Sequence, residues 1–266
     1  MDMKNYKGAV FFDFDGTLAD ENLQIYKPLP KTIEGIQKLK ENGYMVGIAT
    51  GRAKCYVPDV DIDFDCYVTT NGAYAEVDNE EIFNSCMSTE ELRILLDFFH
   101  ENGIGYVLES QDKCYWSDTG REDFIRMVNT FHIDLSCFAP IVDLSAIKTN
   151  KLMVEFQREE QFDRFKEAFD DRYVITRHRT HPSGDVGKTG IDKSVGIHAV
   201  MEHFGLALQD TYAFGDGEND LQMLSVVGCG IAMKNHAAVL DTVAKRIAGG
   251  VDEDGIYYEL KDLGLI

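Results

Sequence analysis

The sequence predicts an α/β protein in which a parallel-sheet core is interrupted by an inserted α+β domain. Three observations lead there. Short continuous apolar runs end abruptly at acidic or glycine-bearing turns near both ends of the chain, helical segments with apolar residues every three or four positions separate those runs, and strands of mixed polarity replace them in the middle.

Taken in order, Ala9-Val10-Phe11-Phe12 runs straight into Asp13-Phe14-Asp15-Gly16 and suits a strand buried on both faces, the central strand of a parallel sheet. Residues 31–42 follow Pro28 and Pro30 and place Ile33, Ile36 and Leu39 at three-residue intervals up to Gly43, a helix stopped by a glycine. Residues 44–50 form the next strand, so strand, helix and strand make a right-handed βαβ unit. Residues 81–185 differ. Ser88-Thr-Glu-Glu91 is a capping box ahead of Leu92, Leu95, Leu96 and Phe99, and strand-like runs at 105–109, 113–116, 151–156 and 172–176 alternate with helical ones such as 159–170. Their polarity predicts an antiparallel sheet with one solvated face. The earlier grammar then returns, with helices at 193–204, 220–227 and 237–244 and strands at 211–214, 230–233 and 246–248. The expected organisation is a core of residues 1–80 and 186–266 around an α+β domain at 81–185.

The 266 residues carry 46 acidic and 26 basic side chains, a formal charge of −20. That field repels phosphate backbones and anionic membranes alike, so neither a nucleic acid nor a membrane is expected as partner. A hydrophobic content of 44 % supplies a packed core and excludes disorder. The N-terminal residues Asp2, Lys4 and Lys7 do not form a secretory leader, and no apolar stretch nears the roughly 20 residues that span a bilayer, so the expectation is a soluble, cytoplasmic chain. Six cysteines without a CxxC pair are expected to be reduced, buried thiols. Oligomeric state is not written in the pattern.

The chemistry-bearing residues sit where the strands end. Asp13 and Asp15, two apart after the first strand, can converge on one site if a cation offsets their repulsion. Mg²⁺ is the simplest such cation, being bound by one or two carboxylates with phosphate oxygens and water. Gly16 lets the backbone bend and turn N–H groups toward an anion. Gly215-Asp216-Gly217-Glu218-Asn219-Asp220 is a second acidic turn after a second short strand, with Asp216 placed as a carboxylate ligand and Asn219 and Asp220 as its support. Thr50-Gly51-Arg52 offers a hydroxyl and backbone N–H groups to a phosphate. Lys193, at a helix start, offers a positive charge to both Asp13 and phosphate, although Lys188 lies close by in sequence. Residues 182–189 imitate a phosphate-binding P-loop, but Pro182 stands where its first glycine belongs. In a strand, Arg177, Arg179 and His181 share one face, either as a contact to a substrate's leaving group or as a solvated basic edge.

The order DFDGTL, ATGR, a lysine, then GDGEND and MLSVVGCGIAMKN resembles the haloacid dehalogenase-like hydrolases, closely the Cof-type phosphatases of subclass IIB. The likeness runs over the whole chain: Asn71-Gly72-Ala73 matches the point where that subclass leaves its core for a large cap, and Asp252 to Ile256 matches its closing segment. It implies a Rossmann-like core with an inserted α+β cap of type C2. It further implies that Asp13 is the nucleophile that forms an aspartyl-phosphate, that Asp15 protonates the leaving oxygen and then activates water, and that Thr50 and Lys193 hold the phosphoryl group. Mg²⁺ is implied on Asp13, the Asp15 carbonyl and Asp216, with Asn219 and Asp220 in support. Phosphate and substrate contacts are expected from Gly16, Gly51, Arg52, Asn71, Arg179 and Asn219. The chain departs from the family at Lys234 and His236, bulkier residues that flank Asn235 beside the site. The implied activity is Mg²⁺-dependent hydrolysis of a small phosphorylated metabolite, a sugar phosphate being one candidate. A phosphomutase acting on a hexose phosphate, or a non-catalytic phosphate-sensing protein on the same fold, would carry the same motifs.

Overall fold

The computed structural model describes residues 5–116, 122–130, 133–178 and 182–266. They fall into two compact units, the first made of Met1–Gly51, Pro58–Phe83 and Asp192–Ile266, the second of Arg52–Val57 and Asn84–Ile191. In chain order the first unit opens with β1 (Gly8–Phe12), α1 (Pro30–Glu41), β2 (Tyr44–Ala49), β3 (Cys66–Thr69), β4 (Tyr74–Val77) and β5 (Glu80–Asn84). The second unit follows with α2 (Thr89–Asn102), β6 (Gly105–Glu109), β7 (Cys114–Trp116), α3 (Glu122–Thr130), β8 (Phe138–Pro140), β9 (Lys151–Glu155), α4 (Glu159–Phe169), β10 (Tyr173–Arg177) and β11 (Ser183–Lys188). The chain then returns to the first unit through α5 (Lys193–Phe204), β12 (Thr211–Gly215), α6 (Leu221–Ser225), β13 (Cys229–Ala232), β14 (Arg246–Ile247) and α7 (Gly255–Asp262).

Among the described residues, the first unit's sheet has the order β14-β13-β12-β1-β2-β3-β4-β5. β1 lies inside it, paired in parallel with β2 on one side and β12 on the other, and all five of its residues are buried. That burial is why it reads as an unbroken apolar run. Ala9 and Phe11 pack against Ile197 and Val200 of α5 and Met223 and Leu224 of α6, while Phe12 stacks on Phe214 at 5.2 Å. The chain passes to β2 on one side of β1 and, much later, to β12 on the other. A parallel sheet with this switch opens a crevice at the carboxyl ends of its strands, where ligands bind. The helix expected at 237–244 is a 3-10 segment, Ala238–Thr242, and the one expected at 220–227 narrows to α6 behind a 3-10 turn at Glu218–Asp220.

The second unit's sheet, β10-β11-β9-β6-β7-β8, is antiparallel except where β7 meets β8. The capping box opens α2 as expected, Ser88 Oγ accepting from the Glu91 N–H at 3.2 Å and Glu91 Oε2 accepting from the Ser88 N–H at 2.7 Å. The single solvated face is not what the structure shows, because β6 and β9 are buried along their whole length. On one face Tyr106, Leu108, Leu152 and Val154 pack with α2 and α4; on the other, Val107, Met153 and Trp116 pack with Phe124 and Val128 of α3. The polar residues that suggested solvent compensate one another instead. Lys151 bridges Glu109 at 2.9 Å and Asp185 at 2.5 Å. Arg52–Val57, read from the sequence as core, belongs to this unit, held by Cys55 N–H donating to the Gln111 carbonyl at 3.0 Å. No helix among the described residues is long and apolar enough to cross a membrane.

Candidate active site

Four strands deliver their following residues to one end of the first unit's sheet: Asp13 after β1, Thr50 after β2, Thr70 after β3 and Asp216 after β12. Asp13 is 5 % exposed, and its N–H donates to the Phe214 carbonyl at 3.0 Å, tying the end of β1 to β12. Lys193, wholly buried, donates from Nζ to Asp13 Oδ1 and to Asp220 Oδ1, each at 2.6 Å. A buried lysine is tolerated only when paired, and here two carboxylates do so. Two local features set its position. The Asp192 side chain caps α5 by accepting from the Ser194 N–H at 2.8 Å. Gly196 lets the helix rest on β3, where a β-carbon would come within 2.5 Å of Val68 Cγ1.

Asp220 organises the second acidic turn. Its Oδ2 accepts the N–H groups of Asp216 and Gly217, each at 2.8 Å, while Oδ1 takes the lysine. Asp216 Oδ1 accepts from Thr17 Oγ1 at 3.0 Å, and its carboxylate lies directly against Gly16, where a β-carbon would stand 2.2 Å from Oδ2. Gly16 has φ of +84°, a left-handed backbone that favours glycine. Asp15, in the same turn, is exposed.

Three buried or half-buried carboxylates therefore face one ammonium. Burial pushes Asp13 well above the usual carboxylate range, with Asp220 adding to the rise and Lys193 opposing it. Burial and Asp220 likewise push Asp216 up to about 7. Burial would lower Lys193, but Asp13 and Asp220 outweigh it and raise the lysine. One oxygen each from Asp13, Asp216 and Asp220 lies within 4.8 Å of the others. Both oxygens of Asp220 are committed, whereas Asp13 Oδ2 and Asp216 Oδ2 accept no hydrogen bond among the described residues. Two hard oxygen donors and a surplus negative charge fit a divalent cation such as Mg²⁺.

Thr50 is fully buried. Its N–H donates to the Val68 carbonyl at 2.8 Å and its carbonyl accepts from the Asn71 N–H at 3.1 Å. Thr70, Asn71 and Gly72 turn in succession through φ of 50°, 53° and 85°, and strain of this kind gathers at functional sites. The turn presses Gly72 so closely on α5 that a β-carbon there would lie 1.9 Å from the Asp192 carbonyl oxygen. Asn219 Nδ2 donates to Asn71 Oδ1 at 3.1 Å, joining the loops after β3 and β12, and Gly51 leaves room for the same Asn71 oxygen. Sequence reasoning missed Thr17, Asp192 and Gly196 as supports; only Thr17, inside the first motif, stood where a local signal could have found it.

The remaining expected residues have partners of their own or fall outside the described residues. Lys188 is in the second unit, with Nζ 3.3 Å from the Cys86 carbonyl and 3.7 Å from Glu91, and residues 183–188 form β11 rather than a phosphate loop. Arg52 belongs to the second unit and donates to the Tyr56 carbonyl at 3.3 Å. Arg177 forms an exposed two-pronged pair with Glu159 of α4 and covers the Phe162 ring. Arg179 and His181 lie outside the described residues. Lys234 pairs with Glu253 at 2.5 Å, and His236 bonds the Met233 carbonyl and Asp241.

Comparison with known proteins follows the same lines. YkrA of Bacillus subtilis (strain 168), provisionally named a phosphatase, is 30 % identical over 97 % of this chain and 98 % of its own. YitU of the same organism, named a 5-amino-6-(5-phospho-D-ribitylamino)uracil phosphatase, is 26 % identical over 98 % of both chains. Among solved structures, a hypothetical protein from Geobacillus kaustophilus HTA426 superposes with a TM-score of 0.87 at 32 % identity, covering 97 % of this chain and 99 % of that one. A subclass IIB sugar phosphatase superposes at 0.82 with 28 % identity, covering 97 % and 100 %. The family model of haloacid dehalogenase-like hydrolases matches residues 10–260, and the chain belongs to that family.

Proposed function

We propose that this hydrolase is a Mg²⁺-dependent phosphatase that acts on a small phosphorylated metabolite through an aspartyl-phosphate on Asp13. The observation that carries the reading is the buried Asp13 carboxylate, one oxygen on Lys193 and the other without a partner among the described residues. Thr50, Lys193 and the N–H groups around Gly16 and Gly51 hold the phosphoryl oxygens. An Asp13 oxygen attacks phosphorus, the ester P–O bond breaks, and Asp15 gives its proton to the departing oxygen. Water then attacks phosphorus, its proton passes to Asp15, and the bond to Asp13 breaks, releasing phosphate and restoring both aspartates. Lys193 opposes the rise that burial imposes on Asp13 and draws charge from the phosphoryl group as it transfers. Asp13, Asp216 and the Asp15 carbonyl would hold Mg²⁺, which supplies the remaining charge neutralisation when bound.

Asn219 and Asp220 support these ligands, and Asn71 positions Asn219. The second unit is read as the family's type C2 cap, with substrate contacts from Arg52 and Arg179. The likeness to YitU and to the subclass IIB sugar phosphatase supports a metabolite substrate, a sugar phosphate included. Phosphate release from a panel of sugar, nucleotide and cofactor monophosphates, with and without Mg²⁺, tests the reading. Turnover is expected to need Mg²⁺ and to vanish in Asp13→Asn. Full turnover by that variant would overturn the assignment.

A further inference from the structure

We propose that Cys55 and Cys114 are an oxidisable thiol pair, joined into a disulfide by reaction with a low-molecular-weight disulfide. The pair lies within the second unit and makes no use of the phosphatase reading. All six cysteines are unbridged in the structure, and no local spacing joins Cys55 to Cys114, which are 59 positions apart. Folding nonetheless brings their sulfurs to 3.7 Å, against about 2.05 Å in a disulfide. Side-chain rotation and a small shift of the Cys55 segment close that gap.

The segment is already docked for it. Cys55 sits in a single 3-10 turn, Lys54–Tyr56, whose backbone is stitched to the loop ahead of β7 by Cys55 N–H to the Gln111 carbonyl at 3.0 Å and by Lys54 N–H to Gln111 Oε1 at 3.4 Å. Tyr56 anchors the turn, buried beside Phe138 with ring centroids 5.7 Å apart. Cys114 opens β7 and is fully buried.

The two thiols differ in the way that exchange chemistry needs. Cys55 is half-buried, and its hydrogen bond with Cys114 holds its thiol below the ordinary range. Burial pushes Cys114 well up. Cys55 is then the attacking thiolate and Cys114 the resolving thiol. A third thiol, Cys137, donates to the Cys55 carbonyl at 2.8 Å and is pushed up to about 11 by burial, so it braces the turn. In the first step Cys55 sulfur attacks one sulfur of the reagent, forming a mixed disulfide and expelling a thiolate. Cys114 then loses its proton and attacks the Cys55 sulfur, expelling the second thiolate. Two protein thiols are oxidised, one small disulfide is reduced to two thiols, and the protons leave with them.

The test incubates the whole protein with oxidised glutathione, removes the reagent, and counts thiols after denaturation in alkylating buffer. The expected result is a fall from six to four, a crosslinked peptide pair containing Cys55 and Cys114, and full recovery with dithiothreitol. Cys137→Ser should still lose two thiols. Cys114→Ala should stop at a glutathione adduct on Cys55. Six surviving thiols in the wild type, a persistent adduct on wild-type Cys55, or a crosslink from Cys55 to Cys137 would overturn the proposal.

Discussion

Replacing Gly16 with alanine tests the seating of Asp216 directly. The new β-carbon would stand 2.2 Å from Asp216 Oδ2 and 2.3 Å from its Cγ, and van der Waals contact needs about 3.4 Å or more. Backbone or carboxylate must therefore move by about 1.2 Å. A misplacement of about 1 Å in a catalytic constellation costs roughly 100-fold in rate. The φ of +84° adds a left-handed penalty of about 1–2 kcal/mol. Gly190→Ala separates these effects, because Gly190 has φ of +80° with nothing within 4 Å of the added carbon. With p-nitrophenyl phosphate as substrate, Gly16→Ala is predicted to lose roughly 100-fold in kcat and to need more Mg²⁺ for half-saturation. Gly190→Ala should lower Tm by a few degrees and leave both constants alone. Wild-type kcat and Mg²⁺ response in Gly16→Ala would refute the geometry.

Lys193→Met strands the Asp13 and Asp220 carboxylates in a buried site, which should cost about 3–5 kcal/mol in urea unfolding and nearly all turnover, whereas Lys188→Met, at a partly exposed pair, should cost under about 1 kcal/mol and spare turnover. Mg²⁺ should raise the Tm of chelator-treated wild type, and Asp216→Asn should shrink that rise; an equal rise in both would remove Asp216 from the metal set. In the second unit, burial alone would raise Asp185, but Lys151 and His178 outweigh it and hold the carboxyl below its ordinary value. A depressed folded value means that its stabilising contribution is complete above pH of about 4 and is lost as pH falls through the folded value. Asp185→Asn should therefore lower the urea midpoint at pH 7, with the gap to wild type narrowing below pH of about 4.

The central strand and its acidic turn were legible because a strand buried on both faces reads as one apolar run, and its chemistry sits in the next residues. The α2 capping box was legible because both of its bonds are local. Lys193 emerged only through the order of motifs; its contacts reach 180 positions back to Asp13, beyond any local pattern. The Asn219–Asn71 bond spans 148 positions and left no signal that joined the two residues. β6 and β9 misled because Glu109, Lys151 and Glu155 resemble solvent-facing residues, and only the third dimension shows Lys151 held between two carboxylates. Alternation places Arg177 on a strand face but does not reveal its pairing with Glu159 of α4, 18 positions away. Arg52–Val57 left the expected core because its backbone hydrogen bonds go to Gln111.

The most direct test of the account is to trap the covalent intermediate. Acid quench during turnover followed by borohydride reduction converts an acyl phosphate to the corresponding alcohol, and peptide mass spectrometry locates it. Substrate-dependent reduction is expected at Asp13, absent in Asp13→Asn along with phosphate release. Reduction at another residue, or steady phosphate release by Asp13→Asn, would contradict it.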